Sequence, residues 1–324
     1  MRFITLSLHP AVDRVLEVER LEPGGLLDAK LRQFVPAGKG VNTARALKRL
    51  LGRGGRVCAF AWLGRDEAVF FGTELAKEGL GFAGCLRDAA TRVCITVLER
   101  ACGRETHWRE SMAAPGPGEE RALLRSLARL PARGRCVALC GSAPPGTRRG
   151  ILAGLLRGLR HRAAILVADT SGPLLMEAGV AGLDGVKGNA GEVANWLGLE
   201  RPLEITNATH LHALRAALSD HRASGAPRAV LVTLGSQGAV LATREGTWFA
   251  HPPALPSGQA LSATGCGDAA TAGWLWAFKD QCPPSETVRR AVACGTAKLF
   301  SFDPGAVDPK IARRFLAQTR VEQL

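Results

Sequence analysis

The stretch Ser262-Ala263-Thr264-Gly265-Cys266-Gly267-Asp268 sets paired glycines and a carboxylate just ahead of an apolar run, Trp274-Leu275-Trp276-Ala277-Phe278. The run reads as the body of a helix. Gly265, Cys266 and Gly267 then lie at its N-terminus, where unpaired N–H groups and the helix dipole favour an anion. Asp268 falls in the first turn, where the same dipole favours an ionised carboxylate able to accept a proton. An anion cradle beside a fixed base is what phosphoryl transfer to a hydroxyl requires. Taken alone, the stretch is equally a glycine turn with Asp268 as a first-turn helix charge.

A second group lies far upstream, in Pro36-Ala37-Gly38-Lys39-Gly40-Val41-Asn42-Thr43-Ala44. Here Gly38 and Gly40 leave room for a ligand to approach the backbone, Lys39 supplies a cation, and Asn42 offers both a donor and an acceptor. A third is Val186-Lys187-Gly188-Asn189-Ala190-Gly191-Glu192. Asn189 and Glu192 are three apart at a helix start and suit a magnesium ion that keeps most of its waters. The same spacing also makes a capping box, and the two roles are compatible.

The elements that must position these groups follow from hydrophobic patterning. Phe3–Leu8 reads as a first strand, and Asp13 stands just beyond its carboxyl end, where open α/β sheets place ligand groups. Residues 12–20 and 26–35 alternate loosely around Glu22-Pro23-Gly24-Gly25 and read as two strands joined by a turn. Apolar residues at 41, 44 and 47 give a helix one buried face. Strands at 56–63, 135–140, 164–169 and 228–235 alternate with helices at 66–79, 119–130, 147–160, 173–180 and 285–299, with further strands at 91–100 and 104–110. Such alternation predicts a parallel sheet with helices on both faces.

Composition narrows the classes. The chain has 324 residues, 46% hydrophobic and 22% charged, ordinary for a globular protein with ample length for a core. The net charge of +13 comes mostly from Arg scattered along helices, with no basic run, which reads as a solvated surface rather than a nucleic-acid interface; an anionic small substrate fits the balance as well. The nine cysteines show no zinc-ligand spacing, and with an odd count and no signal peptide they point to a reducing cytoplasm. No apolar segment approaches a membrane span. Gly265-x-Gly267-x-x-Ala270 formally matches a dinucleotide fingerprint. That motif must leave a strand, and Pro252, Pro253, Pro256 and Gly258 precede this one. There is no Gly-x-x-x-x-Gly-Lys-Ser/Thr, which disfavours a P-loop enzyme.

These motifs together resemble those of the PfkB (ribokinase-like) carbohydrate kinases, in the family's order and over nearly the whole chain. Thr264–Asp268 matches the Thr-Gly-Ala-Gly-Asp signature with Cys266 in place of Ala, and 37–44 matches Gly-Gly-Lys-Gly-x-Asn-x-Ala with Ala37 as the departure. His9-Pro10-Ala11-Val12-Asp13 is similar to the Asn-Pro-x-x-Asp of the subgroup around 1-phosphofructokinase and tagatose-6-phosphate kinase, with His9 for Asn. Gly141-Ser142-Ala143-Pro144-Pro145-Gly146 resembles the family's Gly-Ser-x-Pro-x-Gly loop.

The resemblance implies a three-layer α/β/α domain spanning 1–324, its central sheet mostly parallel, plus a small β-sheet lid from about 12–35 and 91–110 that often makes a dimer contact. It implies ATP and Mg²⁺, with phosphoryl transfer to a phosphorylated hexose. Asp268 is the implied base, with Gly265, Cys266 and Gly267 as the anion loop. Asp13, Gly38, Lys39, Asn42 and Ser142 hold the sugar, and Arg92 holds its phosphate. Lys187, Asn189, Thr233, Gly235, Gly238 and Thr264 line the nucleotide, with Asn189 and Glu192 on the metal through water. The lid departs from the family: His107 and Arg109 replace an acid and an amide, and Leu26 and Asp28 stand where some relatives carry basic residues. The remaining alternatives are a kinase for another sugar, a sulfosugar or a nucleoside, and a non-catalytic sugar binder.

Overall fold

The structure, a computed structural model, describes residues 2–219, 225–255 and 259–324; Pro256 and Gly258, read above as strand breakers, lie outside them. The strands, in chain order, are β1 (Arg2–Ser7), β2 (Ala11–Val18), β3 (Lys30–Ala37), β4 (Arg56–Gly64), β5 (Gly81–Arg87), β6 (Val93–Glu99) and β7 (Glu105–Arg109). They continue as β8 (Cys136–Cys140), β9 (Ile165–Asp169), β10 (Gly185–Asn189), β11 (Ala229–Thr233), β12 (Ala239–Thr243), β13 (Gly246–His251) and β14 (Arg320–Gln323).

Ten of them form one sheet in the order β14-β13-β12-β11-β10-β9-β8-β1-β4-β5. From β5 to β11 every neighbour is parallel, and β12, β13 and β14 close the far side antiparallel. The parallel strands are apolar at nearly every position because helices cover both faces. Phe3, Val57 and Ala59 pack with Val41, Leu47, Ala272 and Leu275 on one side. Ile4, Leu6 and Phe60 pack with Leu123, Leu127, Leu152 and Leu156 on the other. The three-layer α/β/α arrangement expected from the alternation is the one observed.

The other four strands make a separate sheet, β3-β2-β6-β7. The expected strand 26–35 starts later: Leu26 is fully exposed, and pairing with β2 begins only at Lys30. All nine cysteines are free thiols. The carboxyl ends of β1, β8, β9, β10 and β11 lie side by side in the sheet order, the edge where open α/β sheets carry ligands.

Candidate active site

The helix Lys39–Leu51 begins directly after β3 and lies along β1. A Cβ on Gly40 would sit 2.7 Å from the Leu6 carbonyl oxygen, and one on Gly38 would sit 2.9 Å from Pro10 Cα. These glycines therefore serve the helix–strand approach, a reason different from the room for a ligand read from the sequence. Ser7 Oγ fixes the contact by accepting from Gly40 N at 3.0 Å.

The helix Cys266–Lys279 starts opposite. Gly265 adopts φ 88°, and a Cβ there would lie 2.3 Å from the Pro304 carbonyl oxygen, so only glycine fits. Ala269 N donates to Gly265 O and Cys266 N to Ala263 O. The first-turn N–H groups of Gly267 and Asp268 have no acceptor among the described residues. Two unpartnered donors at a helix start make a cradle that favours an anion. Cys266 is not activated: burial pushes its thiol up to about 11, against a smaller opposing effect of Lys298.

The two helix starts meet at Asp268. Asn42 Nδ2 donates to Asp268 Oδ2 at 2.9 Å, and Thr43 Oγ1 donates to the Asp268 carbonyl at 3.4 Å. The dipole at the helix start is not the largest influence on this carboxylate. At 6% exposure, burial is the largest influence and raises its pKa to about 6, with Lys39 opposing and Asp169 adding to the rise. Asp13 is raised to about 6 as well, by burial first and then by the Asp268 charge, which places both carboxylates about one space.

The sequence reading missed Asp169, the residue that organises the cations. It ends β9, is fully buried, and accepts at Oδ1 from Lys187 at 3.0 Å and Lys39 at 3.4 Å, and at Oδ2 from Thr271 Oγ1 at 2.6 Å. Burial alone would raise its pKa, but the two ammonium groups outweigh it and bring the carboxyl to about 2. Lys39 is in turn raised, chiefly by Asp169 and further by Asp268 and Glu192. The position of Lys187 Nζ, 3.5 Å from where a Gly267 Cβ would stand, puts this charge at the cradle. The missed signal was legible: a lone carboxylate closing the apolar strand Ile165-Leu166-Val167-Ala168 at its carboxyl end.

Asn189 and Glu192 make the capping box: Asn189 Oδ1 accepts from Glu192 N at 2.9 Å and Glu192 Oε2 from Asn189 N at 2.8 Å. Among the described residues no cluster of three acidic, His or Cys side chains encloses a metal, so these two fit only contact with a hydrated ion. Thr233 Oγ1 donates to Gly188 O at 3.5 Å, and Gly235, at φ 60°, faces open space. Gly238 is instead demanded by packing, since a Cβ would fall 2.0 Å from the Ala250 carbonyl oxygen.

Ser142 hydrogen-bonds His9 Nδ1 at 3.1 Å, and burial with the charges of Arg92 and Arg87 lowers His9 to about 4, so its ring is neutral near pH 7. Arg92 donates to the carbonyls of His9 and Pro10 at 3.2 and 3.3 Å. The small sheet reaches the cradle through Ser262, whose Oγ donates to Glu105 Oε2 at 3.3 Å and accepts from Thr264 N at 3.2 Å. Asp13, Thr96, Glu105, Ser262, Thr264 and Pro304 share one cavity between the small sheet and the loops before the helix Cys266–Lys279 and after Lys298.

The family profile described as pfkB family carbohydrate kinase matches residues 8–311. The chain belongs to the pfkB family. It is similar to a 1-phosphofructokinase of Rhodobacter capsulatus, 33% identical over 315 residues that cover 96% of this chain and 94% of the relative. Among solved structures, Escherichia coli phosphofructokinase-2 in complex with fructose-6-phosphate superposes with a TM-score of 0.84 at 25% identity, covering 98% of each chain. The tetrameric inhibited form of the same enzyme gives 0.85 at 26% identity, also with 98% of each chain covered. As a pfkB-family member the chain is a carbohydrate kinase, and the family implies use of ATP. No described helix is long and apolar enough to cross a membrane.

Proposed function

We propose that this chain transfers the γ-phosphoryl group of ATP to a hydroxyl of a phosphorylated hexose, of the fructose 1-phosphate or tagatose 6-phosphate type, with Asp268 as general base. The observation that carries this reading is a buried carboxylate with its pKa raised to about 6, oriented by Asn42 and set beside two unpartnered N–H groups. Asp268 takes the acceptor hydroxyl proton as the sugar oxygen bonds to the γ-phosphorus, and the bond from that phosphorus to ADP breaks. The N–H groups of Gly267 and Asp268, with Lys187, meet the charge on the transferred group. Asp13, Lys39 and Asn42, at the carboxyl edge, orient the sugar, with Ser142 and Arg92 beside its phosphate. Thr233, Gly235 and Thr264 flank the nucleotide. Asn189 and Glu192, through water, would hold the Mg²⁺ that neutralises nucleotide phosphate charge.

The chain works as one kinase unit over 1–324, its small sheet serving as lid. The exposed Leu31, Phe34 and Trp108 on that sheet support a homodimer built through it. A second reading, a kinase for another sugar, a sulfosugar or a nucleoside, is favoured by the engagement of Arg92 with two main-chain carbonyls.

A coupled ADP-release assay over a sugar panel tests the assignment. Hexose phosphates are expected to give the highest kcat/KM, and a clear preference for an uncharged sugar would transfer the assignment to the second reading. The pH profile is a further expected result. The base acts when ionised, so kcat/KM should fall as pH drops through about 6, the value to which Asp268 is raised. A profile flat down to pH of about 5 would remove Asp268 as the base.

A further inference from the structure

Lys298 closes the helix Pro284–Lys298 and is 0% exposed, yet it forms no ion pair among the described residues. Its ammonium donates instead to main-chain oxygens, Ser301 O at 2.6 Å and Ser262 O at 3.4 Å. A buried lysine normally has a carboxylate partner, because an isolated buried charge is costly. Oxygens of backbone carbonyls, on the other hand, are the ligands that replace the water shell of a monovalent cation such as potassium.

The carbonyls concerned belong to the reacting part of the molecule. Ser262 N also donates to Leu299 O, its hydroxyl holds Thr264 N and Glu105, and Gly265 follows three residues on. Ser301 opens the turn that carries Asp303 and Pro304, against which Gly265 is packed. One positive charge therefore draws together the two backbone segments that shape the cradle N-terminal to Asp268.

We propose that Lys298 is a positioning residue whose ammonium acts as a tethered cation, filling a carbonyl-lined site between Ser262 and Ser301 that a free monovalent ion would otherwise occupy. The catalytic consequence rests on the kinase reading above. It means that wild-type turnover needs no added potassium, and that truncating the side chain creates a vacancy suited to potassium or ammonium. Lys298→Met is the complementary variant, because it fills the space without charge.

ADP release is measured for the wild type and both variants with the best acceptor of the sugar panel, in sodium, potassium and ammonium chloride at equal ionic strength. Wild-type rates should be the same in all three salts. Lys298→Ala should lose about 10²-fold in sodium, the scale of an ångström-sized displacement of reacting groups, and recover in potassium or ammonium. Lys298→Met should stay slow throughout. Thermal unfolding of the same proteins needs no substrate, so it decides the assignment even where the kinase reading fails. Lys298→Ala should melt higher in potassium than in sodium, and the wild type should not. Potassium activation of the wild type, wild-type rates in Lys298→Met, or a Lys298→Ala protein whose melting ignores the choice of cation would each overturn the proposal.

Discussion

Asp268→Asn is expected to lower kcat by about 10²–10⁴-fold, the contribution of a positioned general base, while leaving ATP and sugar affinity close to that of the native protein. The amide matches the carboxylate in shape, and its oxygen can still accept from Asn42 Nδ2, so the meeting of the two helix starts is kept. What is lost is the proton acceptor. The sign of the stability change separates this from a folding defect. The folded pKa of Asp268 lies at about 6, above the ordinary 3.8, so its ionisation disfavours the fold increasingly as pH rises through that interval. The neutral variant should therefore unfold at the same or higher denaturant concentration than the native protein at pH of about 8. Steady-state rates beside calorimetric binding check the first part, and a variant with native turnover would leave the reaction without an identified base.

Asp169→Ala carries the largest expected effect on stability, a loss of about 3–5 kcal/mol, the usual consequence of removing one partner from a buried ion pair. Lys187, with a side chain 3% exposed, would be left charged and enclosed; Lys39, at 35%, retains water and contributes less. Thr271 would lose its acceptor as well. Because Asp169 is held near 2, below the ordinary 3.8, its contribution is present above about pH 4 and lost only as pH falls toward 2. The difference between native and variant proteins in urea should accordingly stay constant through the neutral range. A change under about 1 kcal/mol would mean that both lysines are hydrated enough to need no counter-charge. Turnover should fall with stability, since the same two ammonium groups lie at the cradle.

The sequence displayed most of this molecule because its helices and parallel strands are long, apolar and regularly spaced. The helices expected at 119–130 and 147–160 are observed as Pro117–Arg129 and Arg149–Arg160. Less legible were the pieces whose pairing comes from distant chain. The strand Arg320–Gln323 has little apolar character and exists because β13 offers it an edge. The site divides the same way. Local motifs revealed Asp268, Lys39, Asn42 and the capping pair Asn189 and Glu192. The grip of Asp169 on two lysines from different elements, and the bidentate hold of Arg45 on Asp303 at 2.7 and 2.8 Å, depend on tertiary placement and leave no short-range pattern. The raised pKa of Asp268 was not legible for a related reason: a helix start can be read locally, whereas the burial that raises the pKa cannot.

The hydroxyl of Ser262 has a consequence for how the two halves of the site communicate. It is a single latch shared by Glu105 on the small sheet and the amide of Thr264. One side chain therefore ties β7 of the small sheet to the segment leading into Gly265, so a displacement of either is passed to the other through a single hydroxyl.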